Sequence, residues 1–221
     1  MTSCPDCGEQ YQRLAQHWAM SSECSAPPIP TDSHAVLTGL GLAGATIYGA
    51  ANSANPKFRV TSNVRCRVEW WNSELGWLST GVRDHRPERS ADSYVRDPGY
   101  QMTTLAHSDL NHYTWTLGEG IPPRELSLSP LAVRAWLSHM GGLSFEPNAR
   151  LSFSAKPSAE RRERLATLLR SLDCGLDPTV TDTVVSLSVA ETKRLQEFAA
   201  PAAPGAEYRW ARTEDEYERL R

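Results

Sequence analysis

The sequence predicts an α+β fold made of two repeats, each running helix, strand pair, helix, strand pair, helix, with a small metal-stapled segment in front. Three observations predict it. Two runs rich in small and apolar residues, VLTGLGLAGATIYG (36–49) and LSLSPLAVRAWLSHMGGLSF (126–145), read as helices that pass into strands. After each run comes a similar alternation of helix and strand patterns. The first 24 residues hold Cys4, Cys7, His17 and Cys24 and too little apolar surface to fold alone.

Size and composition fit this division. A chain of 221 residues can bury one large core or two compact ones and still carry a small module. With 40% hydrophobic and 22% charged residues and no apolar run near the roughly 18 residues that cross a bilayer, the reading is a soluble protein without a membrane role. The start MTSCPDCGEQ has neither the basic nor the apolar stretch of a secretory signal. The five cysteines are therefore expected in a reducing cytoplasm, where disulfides are not the default.

Taking the elements in order, Cys4, Cys7, His17 and Cys24 have the spacing C-x2-C-x9-H-x6-C, which resembles a zinc knuckle. Two thiolates in the tight turn CPDC can grip one ion, while a short helix YQRLAQHWAM turns His17 toward them. One structural zinc would then supply folding free energy that so short a segment cannot gain from a core. Cys66 and Cys174 stand alone and read as packed residues. Residues 25–35, beginning SAPPIPTDSH, are Pro- and Ser-rich and read as a linker.

The main body is expected over residues 36–210, with one repeat at about 36–120 and the other at about 126–210. In the first repeat the pattern gives strand KFRVTSN, helix RVEWWNSELGWLST, strand YQMTTLAH and helix DLNHYTWTL. In the second it gives strand RLSFSA, helix SAERRERLATLLRSL, strand TVVSLSV and helix AETKRLQEFAA. The closing TEDEYERLR (residues 211–221 with its flanks) reads as a charged tail.

Four segments, LTGLGLAGATI (37–47), EWWNSELGWLS (69–79), YTWTLGEGIPPRELSLSPLAVRAWL (113–137) and PAAPGAEYRW (201–210), make the chain resemble the LAGLIDADG homing endonucleases in their single-chain, two-motif form. The resemblance implies two αββαββα repeats related by a pseudo-twofold, forming a saddle of antiparallel sheets. It implies motif helices packed side by side, and sheets laid into the major groove of double-stranded DNA by a monomer. In active relatives an acidic residue at the base of each motif helix holds Mg²⁺ for phosphodiester hydrolysis, chemistry that needs hard oxygen ligands. Alignment places Gly44 and Met140 at those two positions, with His139 replacing another residue that is commonly acidic. Neither a glycine nor a thioether holds Mg²⁺. The resemblance thus implies a degenerate site, no bound Mg²⁺ and a DNA-binding protein that does not cut. Asp32, Glu125 and Glu146 flank the motifs without occupying the expected helix-end position.

If the sheets face DNA, side chains that alternate with a period of two select the contacts. Lys57, Arg59 and Thr61 alternate with Phe58 and Val60; Gln101 and Thr103 with Met102; Arg150, Ser152 and Ser154 with Leu151 and Phe153. Arginine suits guanine edges and phosphates, and glutamine suits adenine. Arg83 and Arg86, in the basic stretch GVRDHRPERS, are further candidates for phosphate contact or are simply solvated. From Lys57 to Arg96 eight basic residues face five acidic ones in a chain whose net charge is −3, an excess that a mixed solvated surface fits as well as a phosphate-binding one. Three readings stand beside the first: cleavage or nicking through a rearranged metal site, RNA binding as a maturase-like splicing helper, and a protein-interaction module.

Overall fold

The computed structural model describes residues 1–12, 14–21, 23–49, 55–85, 99–140, 142–145, 149–154 and 158–221. Two four-stranded antiparallel sheets carry most of it. In the N-terminal half the strands are β3 (Thr46–Tyr48), β4 (Lys57–Ser62), β5 (Ser79–His85) and β6 (Gly99–Thr104), in the order β3-β4-β6-β5. In the C-terminal half they are β7 (Gly142–Ser144), β8 (Arg150–Ser154), β9 (Thr179–Val180) and β10 (Val184–Ser186), in the order β7-β8-β10-β9. Each sheet is therefore a first hairpin joined, second strand to fourth, with another, and the same order twice is what two repeats require.

Two helices run between the sheets, α2 (Thr31–Leu42) and α4 (Pro130–His139). They approach closely because the contact point is small. A Cβ on Gly39 would meet the Ala132 carbonyl oxygen and lie 2.7 Å from the Trp136 amide nitrogen and 2.8 Å from the Ala135 Cβ. Only hydrogen fits there. Each helix also reaches into the other half's core. Leu42 and Ala43 join Trp136, Phe153, Leu165 and Leu169 in the C-terminal core, while Ala135 joins Leu37, Phe58, Trp71 and Met102 in the N-terminal one. Trp136 stacks on Phe153 at 4.3 Å between ring centroids, and the Trp71 indole donates to the Ser138 hydroxyl at 3.0 Å. Full burial of such side chains contributes about 1.5–3 kcal/mol each.

Outer helices cover the inner face of each sheet: α3 (Arg65–Leu75) in the first half, α5 (Ala159–Arg170) and α6 (Val189–Phe198) in the second. Ser158 caps α5, and Ser188 with Glu191 forms a reciprocal capping box on α6. Near the N-terminus, strands β1 (Thr2–Ser3) and β2 (Gln10–Tyr11) form a short hairpin followed by α1 (Leu14–Met20).

Several expectations change. The helix expected over RVEWWNSELGWLST ends at Leu75; Gly76, at φ +52°, breaks it and a single 3₁₀ turn leads into β5, a strand where a basic loop was read. The segment DLNHYTWTL forms a 3₁₀ helix, Ser108–Thr116, rather than an α-helix. The first motif helix begins at Thr31, inside the stretch read as linker. That stretch is anchored: the Ile29 amide donates to Asp109 at 3.2 Å, and His107 Nε2 donates to the Pro27 carbonyl at 3.0 Å while its Nδ1 accepts from the Asp109 amide. The tail includes a helix, α7 (Glu214–Leu220), whose Tyr217 packs on Phe145 and Tyr208. Among the described residues no helix is long and apolar enough to cross a membrane.

Candidate nucleic-acid interface and metal centre

Strand parity sorts the sheet residues. In β4, Phe58 and Val60 are buried while Lys57 and Arg59 are exposed and Thr61 is half-buried. Register carries this across the sheet: Arg59 pairs with Thr103, Thr61 with Gln101, and Gln101 with Arg83, so these five side chains share the face turned away from the core. Gln101 donates to the Thr103 hydroxyl at 3.2 Å, as neighbours on one face do. Two further members, Tyr48 and His85, were not expected from the sequence. Tyr48 pairs with Lys57 on the face opposite the buried Ile47, and its ring lies under the Arg59 guanidinium, 4.4 Å from Cζ to centroid. The signal for it was the alternation in TIY, too short to stand out. Among the described residues, no carboxylate pairs with Lys57, Arg59, Arg83 or Arg150.

In the second sheet, Leu151 and Phe153 are buried, Arg150 is exposed and Ser152 is half-buried. Ser144 pairs with Arg150, and Ser186 with both Ser152 and Thr179. Ser154 pairs with Val184. Arg86 lies outside the described residues, as does Glu146.

The two motif-helix ends are built differently. At α2 the Ala45 amide donates to the Leu40 carbonyl at 2.9 Å and the Gly44 amide to Gly41 at 3.1 Å, the paired bonds of a Schellman ending, with Gly44 at φ +90° as its left-handed residue. At α4 the chain passes directly into extended backbone at Met140 (φ −125°, ψ 161°), whose side chain packs against the C-terminal core. His139 sits half-buried with its ring edge-on to Trp71 at 5.3 Å. Burial first, then the positive charges of Arg67 and Arg209, hold its imidazole down at about 4. No side chain at Gly44, a thioether at 140 and cations beside His139 form a donor set that does not fit Mg²⁺.

Arg67 and Arg161 occupy matching places near the starts of α3 and α5, both buried. Arg67 donates to the Gly205 carbonyl, and Arg161 to Gly120 and, at 3.1 Å, to Leu42 at the end of α2. Gly120 and Gly205 share positive φ, at 63° and 70°. These arginines tie each half to the segment that leaves the other, a role the sequence did not disclose.

The ligand atoms of Cys4, Cys7, His17 and Cys24 lie within 4.8 Å of one another, the one such group of three or more Cys, His or acidic residues among those described. Tetrahedral Zn²⁺ with bonds of about 2.0–2.3 Å needs its ligands about 3.5–3.8 Å apart, a small contraction from this arrangement. Cys7 Sγ and His17 Nε2 already lie 3.8 Å apart. Burial disfavours the Cys4 thiolate, yet amide donors from Cys7 and Asp6 outweigh it and draw the thiol down to about 6. The residues fit a structural zinc. The cluster docks on the N-terminal half, where Trp18 meets Trp77, just before β5, edge-on at 5.1 Å.

No family model and no curated protein matches the sequence. Solved structures do match in fold. "The homing endonuclease I-WcaI bound to its DNA recognition sequence" superposes with a TM-score of 0.70 at 10% identity, over 84% of this chain and 88% of that one. The N-terminal LAGLIDADG domain of DUF199/WhiA gives a TM-score of 0.46 at 10% identity, with 100% of each chain covered. Two matching four-stranded antiparallel sheets flanking a close-packed helix pair, together with the first of these superpositions, give the chain the LAGLIDADG homing-endonuclease fold.

Proposed function

We propose that the chain binds double-stranded DNA site-specifically, as a monomer with an internal pseudo-twofold, and does not cleave it. The observation that carries this is the outward face of the N-terminal sheet: Lys57, Arg59 and Arg83 beside Gln101, Thr61 and Thr103, with no carboxylate paired to any of the cations among the described residues. Arg, Lys, Gln and hydroxyl side chains are the residue types that read major-groove edges and grip phosphates. The neighbour of the same fold that is bound to its DNA recognition sequence supports the reading. Arg150, Ser152 and Ser154 would supply the second half's contacts, and Arg86 a further phosphate contact.

Absence of cutting is read from the helix ends. Gly44 offers no ligand atom, Met140 offers a soft one, and the Arg67 and Arg209 charges near His139 oppose a divalent cation. The cysteine cluster is read as holding one structural Zn²⁺, which makes the first 24 residues a folded module.

One experiment tests binding and cutting together. Duplexes enriched from a random-sequence pool by the full chain are incubated with it in Mg²⁺ and then Mn²⁺, with structured RNA as competitor at matched salt. The expected result is retained duplex with both strands intact and weak competition by RNA. Strand breaks that depend on the metal would refute the non-cleaving reading, and preferential capture of RNA would refute the DNA one. Elemental analysis should return about one zinc per chain.

A further inference from the structure

The two sheets share one strand order, but their outward faces differ in chemistry. On the N-terminal face, Arg59 and Thr103 form one cross-strand row, and Thr61, Gln101 and Arg83 the next, with Lys57 and Tyr48 beyond. Three Lys and Arg side chains stand there among the described residues, and Asp84, one residue along from Arg83, faces the other side, where its charge acts on Arg65. On the C-terminal face Arg150 is the one cation among the described residues, amid Ser144, Ser152, Ser186 and Thr179, with Val184 further along.

We infer that the chain recognises DNA unequally: the N-terminal sheet holds and reads one half-site through Lys57, Arg59, Arg83 and Gln101, and the C-terminal sheet adds a weakly selective second half-site. This rests on the reading that the chain binds duplex DNA. Alternate residues of a strand are about 6.8 Å apart, two base-pair steps of about 3.4 Å, so Lys57, Arg59 and Thr61 span about four base-pair steps of a groove. The Tyr48 ring beneath Arg59 holds the guanidinium on the outward face before any ligand arrives, which lowers the ordering cost of a bidentate contact. Arg and Lys select guanine O6 and N7, and Gln selects adenine N6 and N7, so the strong half-site is purine-containing on one strand. Serine and threonine hydroxyls accept either kind of base edge, and Val184 offers at most a thymine-methyl contact, so the second face discriminates little.

The test is selection of bound duplexes from a random-sequence pool by the full, zinc-loaded chain, read as base preference at each position. It is repeated with the triple variant Lys57→Ala, Arg59→Ala, Arg83→Ala, whose exposed sites leave the melting temperature unchanged. The expected profile is one contiguous block of strong, guanine-containing preference beside a weak block, the strong block flattening in the triple variant. On the enriched duplex the triple variant should lose at least about 100-fold in affinity and Arg150→Ala less than about 10-fold. Two blocks of equal strength, or Arg150→Ala costing as much as the triple variant, would overturn the inference while leaving DNA binding intact. No enrichment of any duplex by a folded chain would overturn DNA binding itself, and the inequality with it.

Discussion

The two halves of the molecule solve the same packing problem in the same way and then diverge wherever packing stops dictating the residue. Both have the strand order first, second, fourth, third; both lock a buried arginine, Arg67 or Arg161, onto a glycine carbonyl. Yet α2 ends in a Schellman turn at Gly44 and α4 ends in extended backbone at Met140, and among the described residues one sheet faces outward with three Lys and Arg side chains while the other has one. Core positions are held by volume and hydrogen bonding, so two halves of one fold converge there. Outward sheet positions are released from that constraint, so the two halves are free to differ there.

The two halves depend on each other most at the helix contact. Gly39→Ala should destabilise by about 3–5 kcal/mol, because its Cβ would meet the Ala132 carbonyl, a backbone atom that cannot yield, whereas Ala135→Gly on the facing helix should cost only about 1 kcal/mol. Chemical denaturation of the two variants measures both. A small effect at Gly39 would mean the helices are not held at this distance.

The arginine locks should be unequal in the next degree. Arg161→Met orphans carbonyls at Glu119, Gly120 and Leu42 and should cost about 3 kcal/mol; Arg67→Met should cost about 2, since Gly205 is its main backbone acceptor. Equal losses in thermal unfolding would show that the Glu119 and Leu42 contacts add nothing.

A smaller effect separates the halves by pH. His139 is neutral in the folded chain down to about 4, while an unfolded imidazole binds a proton near 6.5. Below 6.5 the unfolded state therefore takes up more protons, and stability falls as pH drops from 6.5 toward 4. After allowing for partial solvent screening of a half-buried ring, the loss is about 2 kcal/mol. His139→Gln should remove that slope in denaturation curves between pH 4 and 6.5. An unchanged slope would place the titration elsewhere.

The least costly comparison concerns the helix ends. Gly44→Asp puts a Cβ on a residue at φ +90° and should cost about 1–2 kcal/mol, although nothing stands within 4 Å of that Cβ. Met140→Asp, on extended backbone, escapes this strain; it loses the thioether's packing and sets a carboxylate against the C-terminal core, so the Gly44 variant alone should be rescued by a neighbouring change that relaxes the turn.

How far the sequence could be read follows the same division. Elements with strong periodicity and buried alternate residues, such as KFRVTS, RLSFS and AERRERLATLLR, were recoverable because burial imposes their pattern. The edge strand STGVRDH was not, because Gly81 and a register shift between Ser79 and Val82 erase its alternation. Two-residue β9 is too short to show any period. The cysteine cluster was visible because four soft ligands in 24 residues need no core to explain them. Arg67 and Arg161 were invisible as locks, since a buried arginine satisfied by distant carbonyls looks in sequence like any surface cation.

If the sheet faces bind duplex DNA, that binding must depend on salt. Titrating the full chain into a labelled enriched duplex from 50 to 200 mM salt should give a straight line of log K against log salt, with a slope near −0.9 per phosphate neutralised. Replacing Lys57, Arg59 and Arg83 with alanine should make that slope shallower by about one to three of those steps; binding that is indifferent to salt, or a slope unmoved by the three replacements, would rule out DNA binding through these faces.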